Sequence, residues 1–130
     1  MEENLESVKN LYKKKLGYSG EDRACEYLLK NGYSVVARNF TVRGGELDIV
    51  AEKGETLVIF EVKTLPHGDS ETLKKLLNAQ KIKTLVRTTK HFLLKHRQYN
   101  NNYIRFDVLA LDLPGFPPVF HIENAFTEIL

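Results

Sequence analysis

Gly45-Glu46-Leu47-Asp48-Ile49-Val50-Ala51-Glu52-Lys53-Gly54-Glu55-Thr56-Leu57-Val58-Ile59-Phe60-Glu61-Val62-Lys63 reads as one β-hairpin. Gly54-Glu55 has glycine at the first central position, the signature of a two-residue type II′ turn. That turn pairs Lys53 with Thr56 and, counting outward, Asp48 with Glu61 and Glu46 with Lys63. Side chains alternate along a strand. One face therefore carries Leu47, Ile49, Ala51, Val58, Phe60 and Val62, which is a core. The other carries Val50, Leu57 and Ile59 near the turn and Glu46, Asp48, Glu61 and Lys63 at the far end. Directly opposed Cβ atoms lie about 5 Å apart. Two carboxylates at that distance repel unless a proton or a cation sits between them, so the charged end is a candidate site.

Working outward, Leu5 to Leu16 has apolar residues at helical spacing, and Gly17 ends it. Ser19 is placed to cap a second helix, with Glu21 and Asp22 favoured in its first turn by the helix dipole. Ala24, Tyr27 and Leu28 form its inner stripe, and Asn31-Gly32 stop it. Tyr33 to Val42 is rich in β-branched and aromatic residues and reads as a strand. After the loop Pro66–Ser70, a long helix, broken or continuous, is expected from about Glu71 to His96, with Ile82, Leu85, Val86, Thr89, Phe92 and Leu93 inward. Tyr103–Asp112 alternates as a strand, and Val119–Ile122 suits a short edge strand. A helix between the third and fourth strands implies a right-handed parallel crossover, hence a mixed α/β sheet flanked by helices.

The chain has 130 residues, 42% hydrophobic and 28% charged, as a soluble globular protein does. We expect one domain over residues 17–130, preceded by a helical extension over 1–16. A single cysteine, Cys25, excludes an internal disulfide. No apolar run is long enough to span a membrane, and the acidic start lacks a signal core, so a cytoplasmic location is expected. From Thr72 to Phe106 there is no Asp or Glu, but Lys74, Lys75, Lys81, Lys83, Arg87, Lys90, Lys95, Arg97 and Arg105. The whole chain has a net charge of only +2, so the remainder is strongly acidic. Such a basic block is the footprint expected for a phosphate backbone, or else an ordinary solvated helix face.

Asp48, Glu61 and Lys63 form the pattern Asp, then Glu-x-Lys. Carboxylates are hard ligands suited to Mg²⁺ or Mn²⁺. A metal on Asp48, Glu61 and the Val62 carbonyl would bind a scissile phosphate and activate water, with Lys63 orienting that water or offsetting charge. The plainer alternative has Lys63 pairing with Glu46 and Asp48 hydrogen-bonding in a turn; Glu46 is either an extra ligand or only the partner of Lys63. Lys81 and Arg43 either contact phosphate or serve locally, as a solvated lysine and a turn cap. Asp107 reads as a structural partner of Arg105 or Arg38. His67 lies in the loop near the site, where it either assists proton transfer or stays in solvent.

Gly20-Glu21, Ala24, Tyr27-Leu28, Gly32-Tyr33, Arg38-Asn39, Gly44-Gly45-Glu46-Leu47-Asp48, Phe60-Glu61-Val62-Lys63-Thr64, Lys81, Arg105-Phe106-Asp107-Val108 and Asn124-Ala125-Phe126 resemble the YraN family of uncharacterised bacterial proteins. The likeness covers about residues 17 to 126. That family resembles Holliday-junction resolvases and the PD-(D/E)xK, restriction-endonuclease-like nucleases. The resemblance implies an αβββαβ core, Mg²⁺ or Mn²⁺, and phosphodiester cleavage in branched or otherwise structured DNA. It implies catalytic roles for Asp48, Glu61, Lys63 and Glu21, with Glu21 completing a metal set that Glu46 would join. Arg43, Lys74, Lys75, Lys81, Lys83 and Arg87 would hold the nucleic acid. Cutting both strands of a junction would suit a homodimer. Leu65 departs from the family, which usually places Arg there. The rival expectation is a non-catalytic nucleic-acid-binding module of the same fold.

Overall fold

The computed structural model describes residues 19–128, so the helix expected over Leu5–Leu16 lies outside the described residues. The elements are α1 (Gly20–Lys30), β1 (Ser34–Val42), β2 (Gly45–Lys53), β3 (Thr56–Thr64), α2 (Ser70–Lys74), α3 (Ala79–Lys95), a 3₁₀ turn (Arg97–Tyr99), β4 (Tyr103–Leu111) and β5 (Val119–Phe126). Ser19 caps α1 as its sequence suggests. Its Oγ accepts from the Asp22 amide, and Asp22 Oδ2 accepts from the Ser19 amide at 2.7 Å, a reciprocal capping box.

The five strands form one sheet in the order β1-β2-β3-β4-β5. β1, β2 and β3 make an antiparallel meander, β4 lies parallel to β3, and β5 returns antiparallel. The crossover from β3 to β4 runs through α2 and α3, so this is the mixed, helix-flanked α/β sheet expected and is consistent with a restriction-endonuclease-like fold. The hairpin register holds from Lys53↔Thr56 to Ile49↔Phe60. Gly54 has φ of +59° while Glu55 is not left-handed, as a type II′ turn requires.

Two apolar clusters sandwich the sheet. On the α1 side are Ala24, Leu28, Tyr33, Ile49, Ala51, Val58, Phe60 and Leu109. On the α3 side are Leu47, Val50, Leu57, Ile59, Leu85, Phe92 and Phe106. With both faces covered, β3 is continuously buried from Leu57 to Glu61, as central strands are.

Three expectations need correction. Leu47 packs with Val50 on the α3 side, not with Ile49, because strict alternation fails at Asp48. The helical stretch, left open as broken or continuous, is broken: α2 and α3 each start at their own side-chain cap, Asp69 and Asn78, whose oxygens accept from the Thr72 and Lys81 amides. β5 runs past Ile122 to Phe126, with its pairing to β4 interrupted between Phe106 and Val108. Finally, Asp48↔Glu61 and Glu46↔Lys63 are not ladder pairs; pairing stops at Ile49↔Phe60.

Candidate metal centre and nucleic-acid interface

The site grows from that break in the ladder. Beyond Ile49 the two strands part, and the amide that would have met a strand carbonyl meets a side chain instead: Val62 N–H donates to Asp48 Oδ2 at 2.8 Å. On the other flank, β1 pairs through Arg38↔Ile49 and Phe40↔Leu47, and the residue between them, Asn39, is left-handed at φ +53°. Asn and Asp tolerate that conformation better than other non-glycine residues. The local distortion is why Leu47 changes faces.

Helix α1 brings Glu21 to this point. Its first residue, Gly20, sits so close to β3 that an added Cβ would lie 2.6 Å from Thr64 Oγ1. The missing side chain lets the helix start press against the strand end. Carboxylate oxygens of Glu21, Glu46 and Asp48 consequently lie within 4.8 Å of one another. Like charges at that spacing are unfavourable without a counter-ion. Arg38 supplies part of one: its Nη2 is 2.9 Å from Asp22 Oδ1 and 3.7 Å from Glu21 Oε1. The Ser19 amide, followed by the Arg38 guanidinium, holds the Asp22 carboxyl below its ordinary value.

Glu61 stands beside this trio rather than within it. Its side chain is only 4% exposed. Oε1 lies 3.2 Å from Lys81 Nζ and 3.6 Å from Lys63 Nζ. Oε2 is buried and has no hydrogen-bond partner among the described residues. Burial first, and the nearby Asp48 charge second, push its pKa up, against the pull of Lys81 and Lys63. Lys63 is thus turned toward Glu61 on its own strand, not toward Glu46 on the neighbouring one. Lys81, 34% exposed, is paired with the same carboxylate.

The donor set fits a hard divalent cation. Three carboxylates converge, and a fourth offers a desolvated oxygen with nothing to bind. Val62 takes part through its amide, as a donor to Asp48.

The remaining basic residues divide by environment. Arg43, Lys75 and Lys83 are exposed. Lys74 is exposed but pairs with Glu71 at 3.3 Å. Arg87 is exposed and donates from Nη2 to the Gly44 carbonyl at 2.5 Å, bracing the β1–β2 turn that carries Arg43. His67 is exposed in its loop.

Two groups escaped the sequence reading. Arg38 had no local signal toward Glu21, which lies on a different element. The Asp107 partners were only half found. Asp107 accepts from Arg105 Nε and Nη2, as expected, and also from His121 Nε2 at 2.7 Å and the Asn124 amide at 2.9 Å. His121 Nδ1 meets Tyr27 Oη at 3.1 Å, and Arg105 Nη2 donates to Tyr33 Oη. This network ties β5 and β4 to α1 and serves the fold.

A family model described as "Uncharacterised protein family UPF0102" matches residues 20–111. The chain belongs to that family. It is the YraN family of the resemblance given above. A UPF0102 protein of Treponema denticola is 37% identical over 124 residues, covering 87% of this chain and 95% of the relative. One from Persephonella marina is 36% identical, covering 85% and 91%. One from Geobacter metallireducens is 38% identical, covering 90% and 96%. The match takes in every carboxylate of the UPF0102 site described here, since Glu21, Glu46, Asp48 and Glu61 all fall within it. Among the described residues no helix is long and apolar enough to cross a membrane.

Proposed function

We propose that this UPF0102 protein is a divalent-metal-dependent, structure-selective DNA endonuclease of the cytoplasm. One observation carries the reading: the carboxylates of Glu21, Glu46 and Asp48 converge within 4.8 Å beside the unpartnered, buried oxygen of Glu61. That arrangement costs stability in the absence of a cation, and a fold retains such a cost for a use. Mg²⁺ or Mn²⁺ held there would polarise a phosphate and lower the pKa of a bound water. Asp48 is fixed for this by the Val62 amide, and Glu21 by the close approach of α1. Lys63, 45% exposed, can leave Glu61 to meet an incoming phosphate or its attacking water. Lys81 then keeps Glu61 charged and in place. Arg43 in the β1–β2 turn, Lys75 at the end of α2, and Lys83 and Arg87 on α3 would contact backbone phosphates, which select shape rather than sequence. Two active sites in a homodimer would cut both strands of a junction.

The second reading, a nucleic-acid-binding module without turnover, is favoured by Leu65, which leaves the loop after Lys63 without the family's positive charge. A gel assay separates the two. Labelled single strands, duplexes, flaps and four-way junctions are incubated with Mg²⁺, Mn²⁺ or EDTA, using wild type, Asp48→Asn and Lys63→Met. Metal-dependent cleavage lost in both variants supports the nuclease. Salt-sensitive binding with every substrate intact supports the binding module.

A further inference from the structure

We propose that Arg38 is a built-in counter-ion that competes with the divalent cation for Glu21 and is drawn off by a phosphate, so that metal and nucleic acid bind cooperatively. The inference rests on the metal-site reading above and adds a regulation of that site.

Three observations carry it. First, the Arg38 contact with Glu21 is the looser of its two: 3.7 Å to Glu21 Oε1 against a 2.9 Å hydrogen bond to Asp22 Oδ1. Asp22 is itself locked by the Ser19 cap. The guanidinium therefore has a fixed tether and a releasable partner. Second, that partner belongs to the carboxylate trio. While Arg38 offsets the Glu21 charge, part of the attraction for a cation is cancelled; a cation on the trio and a guanidinium against the same carboxylate repel each other. Third, the Arg38 side chain is 38% exposed, and among the described residues only its Nη2 is engaged. Its other donors are free for a phosphate, which a guanidinium binds through paired hydrogen bonds that no lysine reproduces. Swinging toward a phosphate removes positive charge from Glu21 at the moment the anion arrives.

The test measures Mn²⁺ affinity by isothermal titration calorimetry, with and without a four-way DNA junction, in the Lys63→Met background so that turnover does not interfere. Arg38→Gln should bind Mn²⁺ about fivefold more tightly without DNA, the scale of a part-exposed ion pair. The tightening by DNA seen with Arg38 present should disappear. Arg38→Lys keeps the charge and should leave DNA-free affinity unchanged while reducing the DNA effect. Equal or weaker Mn²⁺ affinity in Arg38→Gln overturns the proposal and leaves the metal site standing, with Arg38 merely positioning Glu21. If Mn²⁺ binds neither protein, the proposal falls together with the reading beneath it.

Discussion

Replacing Glu61 with Gln should stabilise the protein while removing its use. The Glu61 side chain is 4% exposed and one of its oxygens is buried without a partner. An unsatisfied buried acceptor costs about 1–3 kcal/mol, and more when charged. Lys81 at 3.2 Å and Lys63 at 3.6 Å offset part of this through the other oxygen, so a net cost of roughly 1–2 kcal/mol is expected. An amide of the same shape keeps an acceptor for Lys81 and brings no charge into the buried position. The sign with pH follows from the raised folded-state pKa. Below the ordinary value of 4.5 the carboxyl is protonated in both folded and unfolded chains, and Glu61→Gln should match wild type. Above it the unfolded chain ionises first, and wild type loses stability relative to the variant until the folded carboxyl also ionises. Thermal unfolding followed by circular dichroism should therefore show a gap that is absent near pH 4 and grows to about 5 °C near pH 7.5. Saturating Mn²⁺ should narrow the gap by stabilising wild type alone. A variant that melts no higher than wild type at neutral pH, with no dependence of the gap on pH, would refute the reasoning.

Other outcomes follow from the same geometry. Asp48→Asn keeps an acceptor for the Val62 amide and should melt within about 2 °C of wild type; Asp48→Ala loses it and should cost about 1 kcal/mol. Both should abolish Mn²⁺ binding measured by calorimetry. Asp107→Asn leaves Arg105 and His121 facing a neutral group and should cost about 3 kcal/mol by urea unfolding, with Mn²⁺ affinity unchanged. Burial pushes the Asp107 carboxyl up, but hydrogen bonds from His121, Arg105 and the Asn124 amide hold it below 3.8. Its contribution is thus present at neutral pH and lost as pH falls through the folded pKa, so wild type and Asp107→Asn should converge in acid. A Cβ on Gly45 would overlap the buried hydroxyl of Thr88. Gly45→Ala should destabilise by about 1–3 kcal/mol, and adding Thr88→Ala should recover most of that; independent, additive effects would show that the contact is not the cause.

What could be read from the chain was what local rules decide. Gly54-Glu55 fixed the hairpin register because turn type and pairing are set by neighbours in sequence. Ser19 and Asp22 announced the start of α1 for the same reason. The failures were long-range. Nothing near Asp48 reveals that its carboxylate takes the place of a strand carbonyl for Val62 where the ladder ends, or that Leu47 lies across the sheet from Ile49. How deeply Glu61 is buried did not follow from the alternation; its burial comes from being on a central strand covered by α3, whose Lys81 reaches it. Arg38 meets Glu21 only because α1 folds back over β1. Whether the stretch from Glu71 to His96 was one helix or two stayed open in the sequence; the caps at Asp69 and Asn78 decide for two.

The Asp48–Val62 bond has an evolutionary consequence. A carboxylate that fastens two strands is under selection twice, once for its charge and once for its role as a clasp. A descendant that had lost its chemistry would still be punished for losing Asp48, though Asn would serve the clasp. Glu46, and Glu21 with only its loose 3.7 Å contact to Arg38, would drift first. Decay of this site should therefore be sought at the helix start and the strand end, with position 48 the last to change.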